Sequence, residues 1–232
     1  MNYKKAITFS FDDGHTQDIR LVELFNKYGM KATFNLNSGT MTHLCSWRWK
    51  GKEFFKLEPD GLPELYKGHE IASHGLCHGE LKNMSDDGLD YEINKDIENL
   101  SKMFNQEIKG FVYACGRYDE RALKILGESG IKYARTVKNT NDILPHSGNM
   151  LECPSSFSVP GAFDNDVLYE KTQEFLNYDG EEIKILSIWG HGYAFEGTDT
   201  WDKLEEFLKM IAFKDDVLYG TNSEVYEYFK LI

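Results

Sequence analysis

No stretch of this 232-residue sequence approaches the ~20 consecutive apolar residues that a membrane-spanning helix requires, so no such span is expected. Basic runs are also missing. The formal net charge is -12, with acidic and basic residues interspersed, which argues against a nucleic-acid or anionic-membrane partner. Cysteine is scarce: Cys45, Cys77, Cys115 and Cys153 lie far apart and form no Cys-x-x-Cys pair. No export signal is evident, because Met-Asn-Tyr-Lys-Lys leads straight into a strand-like run at 6–11 that carries candidate site residues. A cytoplasmic protein with reduced thiols is therefore expected. Linkers, low-complexity tracts and internal repeats are absent as well, so one domain over residues 1–232 is expected.

What is present is ample apolar material, 41% of residues, enough to bury a substantial core. Strand-like runs alternate with helix-like ones along the chain. Residues 6–11 (Ala-Ile-Thr-Phe-Ser-Phe) are β-branched and aromatic, as suits a strand buried on both faces. Further strands are expected at 31–36, 70–73, 108–113, 131–136, 183–189 and 217–219. Helices are expected at 17–28, 119–126, 167–176 and 201–211. Another carries Leu89, Ile93, Ile97, Leu100 and Phe104 behind a Ser85 cap, and a last one follows the capping-box signature Thr221-Asn-Ser-Glu224. Residues 137–160 read as irregular. Residues 39–61, which hold Trp47, Arg48 and Trp49, read as an insertion near the mouth of the site.

Repeated βα units imply a parallel sheet, and about seven strands in a chain of this length favour closure into an irregular (β/α) barrel. In such folds chemistry sits at the C-terminal ends of the strands. Asp12 and Asp13, then His74 and His78, then Cys115, and finally His191 all fall at such ends. His74 and His78, four residues apart, would face one way on a helical turn and could chelate one ion. With one carboxylate they make a three-ligand site with open positions. That set suits a hydrolytic zinc centre and equally a non-haem iron oxygenase.

The segments around these residues resemble the motifs of the polysaccharide deacetylase (NodB-like) family. Thr8-Phe-Ser-Phe-Asp-Asp-Gly14 is similar to its first motif, and Gly68-His-Glu-Ile-Ala-Ser-His-Gly-Leu-Cys-His78 to its second. Phe111-Val-Tyr-Ala-Cys-Gly-Arg-Tyr-Asp119 and Ile185-Leu-Ser-Ile-Trp-Gly-His191 resemble the third and the last more loosely. The resemblance implies a metal, zinc or in its place cobalt, held by Asp13, His74 and His78. It further implies Asp12 as general base and His191 as general acid, on an N-acetylated sugar or glycan precursor. An amide needs activated water, charge stabilisation and a proton donor as separate groups, and these residues offer one of each. Hydrolysis of another C–N bond, in a cyclic imide or ureide, and a catalytically silent carbohydrate-binding barrel are the alternatives.

Three departures stand out. The third motif commonly carries an arginine that pairs with the base, whereas Val112-Tyr-Ala-Cys115 has none; Arg135, at the end of the next strand, could substitute by proximity, and a structural salt bridge is the equal alternative for it. Cys115 replaces the tyrosine whose backbone N–H joins the oxyanion hole. The usual aspartate that orients the acid histidine is not evident, and Asp142 and Asp164 are the candidates. Cys115, Arg135 and Trp189 are expected on the substrate side. Trp47, Trp49, Trp189, Tyr193 and Phe195 are candidates for stacking on sugar faces.

Overall fold

The computed structural model describes residues 2–232. Alternate residues of strand β1 (Lys5–Asp12) meet two environments although every residue of the strand is buried. Ile7, Phe9 and Phe11 join the apolar core, where the two rings pack on Phe25 with centroids 4.8 and 5.6 Å away. Thr8, Ser10 and Asp12 form the other face of the strand, as its two-residue period dictates, and hydrogen-bond into a polar interior.

Around β1 the sheet runs in the order β8 (Cys153–Ser155), β7 (Tyr133–Asn139), β6 (Gly110–Val112), β5 (Glu70–Ser73), β2 (Thr33–Leu36), β1, β10 (Lys184–His191), β9 (Phe157–Val159). Every neighbouring pair is parallel. The two ends of this order are consecutive in the chain, with Ser156 alone between them. The first half of that extended run pairs with β7 and the second with β10, so the sheet curls nearly into a closed barrel. The barrel is thus the expected one, but its closing run lies inside the stretch read as irregular. Three-residue strands interrupted at Ser156 are too short to show a period. Strand β11 (Val217–Tyr219) pairs with the start of β1.

Helices α1 (Asp18–Lys27), α3 (Asp86–Phe104), α4 (Glu120–Glu128), α5 (Asp166–Asn177) and α7 (Trp201–Ile211) bury apolar stripes whose leucines, isoleucines and phenylalanines join one core, except Ile19 of α1, which is exposed. Their starts follow the cap chemistry: Ser85 accepts from the N–H of Gly88, and Asp119 from those of Arg121 and Ala122. The capping box at Thr221 and Glu224 is formed and opens α8 (Asn222–Tyr228). Asn222 accepts from the Thr8 hydroxyl at 2.7 Å, which fixes α8 against the barrel interior. The 39–61 segment contains a hairpin, β3 (Ser46–Trp49) and β4 (Lys52–Phe55), and leads into the short helix α2 (Leu62–Leu65). It is stitched to the loop after β1 by Thr16 N–H to Phe55 O at 3.0 Å and Leu57 N–H to Gly14 O at 2.9 Å. One short helix, α6 (Gly192–Thr198), follows β10 directly. No described helix is long and apolar enough to cross a membrane.

Candidate active site

The ends of β1, β5, β6 and β10 bring the polar cluster together. Asp12 ends β1 and stands in register beside His191 at the end of β10. The next residue, Asp13, leaves the strand with φ +85°. His78 (φ +59°) and Cys115 (φ +54°) share the left-handed backbone conformation. That conformation costs non-glycine residues energy and gathers at functional sites.

Asp12 is buried and held from one side. Its Oδ1 accepts from Asn35 Nδ2 at 2.7 Å and from Arg135 Nη2, leaving Oδ2 toward His191 Nε2 at 3.9 Å. Burial pushes its pKa up, but the neighbouring Arg135, His74 and His191 outweigh that and hold the carboxyl below its usual range. Asp13 Oδ1 lies 3.8 Å from His74 Nε2 and 3.5 Å from His78 Nε2, and its Oδ2 lies 3.8 Å from His191 Nε2. Burial opposes its ionisation too, yet Lys56, His191, His74 and His78 keep the carboxyl well below the usual range.

The donor set of Asp13, His74 and His78 fits a divalent transition ion. One ligand atom from each lies within 4.8 Å of the others. His74 Nδ1 donates to the Val112 carbonyl at 2.8 Å, which fixes the tautomer and leaves the Nε2 lone pair toward Asp13. Burial, ahead of the opposing pull of Asp12 and Asp13, lowers the His74 pKa to about 4, so the ring is neutral as a ligand must be. The two histidines are not on a helical turn, as their spacing suggested. They bracket a loop after β5, and Glu92 of α3 sets its shape by accepting the N–H groups of Cys77 at 2.8 Å and Gly79 at 2.9 Å. Nothing in the local sequence announces Glu92, because it belongs to the next helix.

Two bays meet at Asp13, His78 and Tyr193. The first, about 280 Å³, also takes in Asp12, His74, Tyr113, Cys115, Trp189 and His191. The second, about 350 Å³, is lined by His15, Trp47, Lys56, Cys45 and Cys77 among others. Tyr193 stands between them, with Trp47 4.8 Å and His191 5.0 Å from its ring. Lys56, which no sequence pattern marked, donates to the Asp13 carbonyl and sits 3.5 Å from Asp13 Oδ1. His15 accepts from the Trp47 indole N–H at 3.2 Å, and burial lowers its pKa to about 3.

Several expected placements differ. Arg135 is 2% exposed and spans the barrel interior beneath Trp189, with its guanidinium 4.4 Å from that ring. It pairs with Asp12, which fits the substitute arginine and the structural salt bridge alike, and burial takes it off the substrate side. Trp189 itself is half-buried and its indole N–H donates to Asn139. Phe195 is fully buried in the core against Phe11 and Trp201 and cannot stack on a ligand. Asp142 pairs with Lys171 and Asp164 with Lys203, so neither orients His191. Among the described residues the carboxylates within ion-pair reach of His191 are those of Asp12 and Asp13. All four cysteines are unpaired.

Comparison with known proteins adds the family. A model described as polysaccharide deacetylase matches residues 2–134. YxkH of Bacillus subtilis (strain 168), whose name places it among the polysaccharide deacetylases, is 26% identical over 137 residues, 58% of this chain and 46% of its own length. The Streptococcus pyogenes deacetylase PplD, solved in complex with acetate, superposes with a TM-score of 0.54 over 62% of this chain and 61% of its own, at 23% identity. This chain therefore spans less than two thirds of either relative. Puue allantoinase superposes with a TM-score of 0.71 over 99% of this chain and 91% of its own, at 13% identity, a likeness of fold. The family match covers more than half of the chain and includes both aspartates and both loop histidines, so this chain belongs to the polysaccharide deacetylase family.

Proposed function

We propose that this chain is a divalent-metal-dependent hydrolase that removes the N-acetyl group from an amino sugar or short glycan precursor. The observation that carries the reading is the convergence of Asp13, His74 and His78 donor atoms within 4.8 Å, beside Asp12 and His191. A zinc ion held by those three, or cobalt in its place, supplies a Lewis acid for the amide carbonyl and lowers the pKa of water. Asp12 Oδ2, the oxygen left free by Asn35 and Arg135, takes the proton from the attacking water. The backbone N–H of Cys115 donates to the tetrahedral oxyanion, a role that survives the change of side chain. His191 protonates the departing amine. Trp189 and Cys115 border the first bay, where the acetamide is placed.

A second reading, hydrolysis of a cyclic ureide or imide, draws support from the fold shared with an allantoinase along nearly the whole chain. A silent binding barrel has no need of Asp12, Asp13, His74, His78 and His191 together. The deciding experiment measures acetate and amine release from a panel of N-acetyl sugars, with allantoin and hydantoin alongside, on chelated and zinc- or cobalt-loaded protein. Metal-dependent acetate release supports the proposal. Turnover of the ureides alone moves the activity to the second reading, and no turnover of any compound by loaded protein refutes both.

A further inference from the structure

The second bay carries an unusual charge balance for so acidic a chain. Among the described residues, Asp12 and Asp13 are the acidic ones lining the two bays, and each already has a cation. Asp12 is matched by Arg135 and Asp13 by Lys56. A divalent ion at Asp13, His74 and His78 would then add two positive charges with no further carboxylate lining either bay; Glu92 lies behind the His78 loop and is engaged by the Cys77 and Gly79 N–H groups. In a chain of net charge -12, this is a local positive field in a recess with low-dielectric walls, which concentrates anions. Lys56 is placed to use that field. The antiparallel bridge between His15 and Lys56 holds it at the end of the hairpin, and its side chain is about one-tenth exposed. Its ammonium makes one hydrogen bond, to the Asp13 carbonyl, so N–H donors remain for a ligand in the bay.

We infer that the second bay is an anion subsite, and that the substrate is an acylated amine carrying a phosphate or carboxylate, which Lys56 recognises. The inference rests on the deacetylase reading and narrows its substrate class. With the acetamide in the first bay, the acidic group enters the second past Tyr193, between Lys56 and the Trp47 wall. The hairpin that delivers Lys56 is thus the specificity element of this chain.

The test compares N-acetylglucosamine with its 1-phosphate, its 6-phosphate and N-acetylmuramic acid on zinc-loaded protein. Steady-state kinetics and calorimetric binding are both measured, for the parent, Lys56→Met and Lys56→Arg. At least one acidic sugar should exceed the neutral one about tenfold in kcat/KM, chiefly through KM, equivalent to about 1.4 kcal/mol. The phosphate and carboxylate arms identify which anion fits. Lys56→Met should erase the preference, lowering kcat/KM for the acidic sugar about tenfold more than for the neutral one, and Lys56→Arg should restore most of it. Equal kcat/KM for neutral and acidic sugars overturns the inference. So does an equal fall for both in Lys56→Met, which would reduce Lys56 to a prop for Asp13; metal content of that variant is measured alongside. If no sugar is turned over, calorimetry decides. Lys56-dependent binding of acidic sugars keeps the subsite while the deacetylase reading fails, and no such binding removes both.

Discussion

Arg135 on β7 and Asp12 on β1 lie 123 residues apart in the chain and form a buried ion pair across the barrel interior. The Ser10 hydroxyl accepts from Arg135 Nε at 3.1 Å, and Asn35 donates to the same Asp12 oxygen that Arg135 engages. Removing one partner of such a pair strands the other charge out of water. Arg135→Met should therefore cost about 3–5 kcal/mol of stability. Combining it with Asp12→Asn should cost less than the sum of the two, because the stranded charge is then gone. Urea melts of the four proteins in the cycle check this, and strict additivity would mean the two side chains are not coupled.

The adjacent aspartates have different surroundings and should fail differently. Asp13→Asn should lose its metal and with it all turnover. Asp12→Asn should keep the metal and lose roughly 10²- to 10⁴-fold in kcat, the usual contribution of a positioned base. Metal content by elemental analysis, paired with kcat for each variant, separates the cases. Equal loss of metal from both would put Asp12 among the ligands.

Glu92 acts on His78 through the backbone. Its carboxylate takes the N–H groups on both sides of that histidine, and the two glycines it touches leave it room: a Cβ at Gly75 or Gly79 would meet Glu92 Oε1 at 3.0 or 3.1 Å. Glu92→Ala should weaken zinc binding about 10- to 100-fold, the range for groups that orient ligands. Glu92→Gln, which keeps an acceptor but not the charge, should fall between. Competition with a calibrated chelator measures both. Unchanged zinc affinity in Glu92→Ala would leave Glu92 a purely structural role.

Asp18 sits below the site at the start of α1, with Tyr66 donating to its Oδ2 at 2.8 Å. Burial pushes its pKa up to about 8, and the Tyr66 hydrogen bond only partly offsets this. The folded protein thus keeps a proton that the unfolded chain releases near pH 4. The associated stability is fully present below that pH and drains away as pH rises toward 8. Between pH 5 and 7 the parent should lose roughly 2–3 kcal/mol more than Asp18→Asn, which cannot titrate. Denaturant melts across that range read the difference, and parallel curves would mean Asp18 is ionised in the fold.

Much of this protein was written in short stretches of sequence, because the interactions involved are themselves short. The Ser85, Asp119 and Thr221 caps join residues two or three apart, and the helical stripes repeat every three or four. Asp12-Asp13, His74 and His78 stand at strand ends, so the order of strands alone gathers them at one end of the sheet. Other features depend on closure. The run 153–159 becomes two strands only because β7 and β10 arrive on its two sides. Arg135 leaves the substrate face because the interior is narrow enough for it to reach β1. Phe195 is drawn into the core by Phe11, Phe163 and Trp201, residues that its own segment does not specify. Lys56 reaches Asp13 only because a hairpin of otherwise irregular sequence is stitched to the loop after β1. Local hydrogen bonds and periodicity fix which side chains can serve the site. Partners tens or hundreds of residues away fix what each one touches, because the barrel must close before those distances are set.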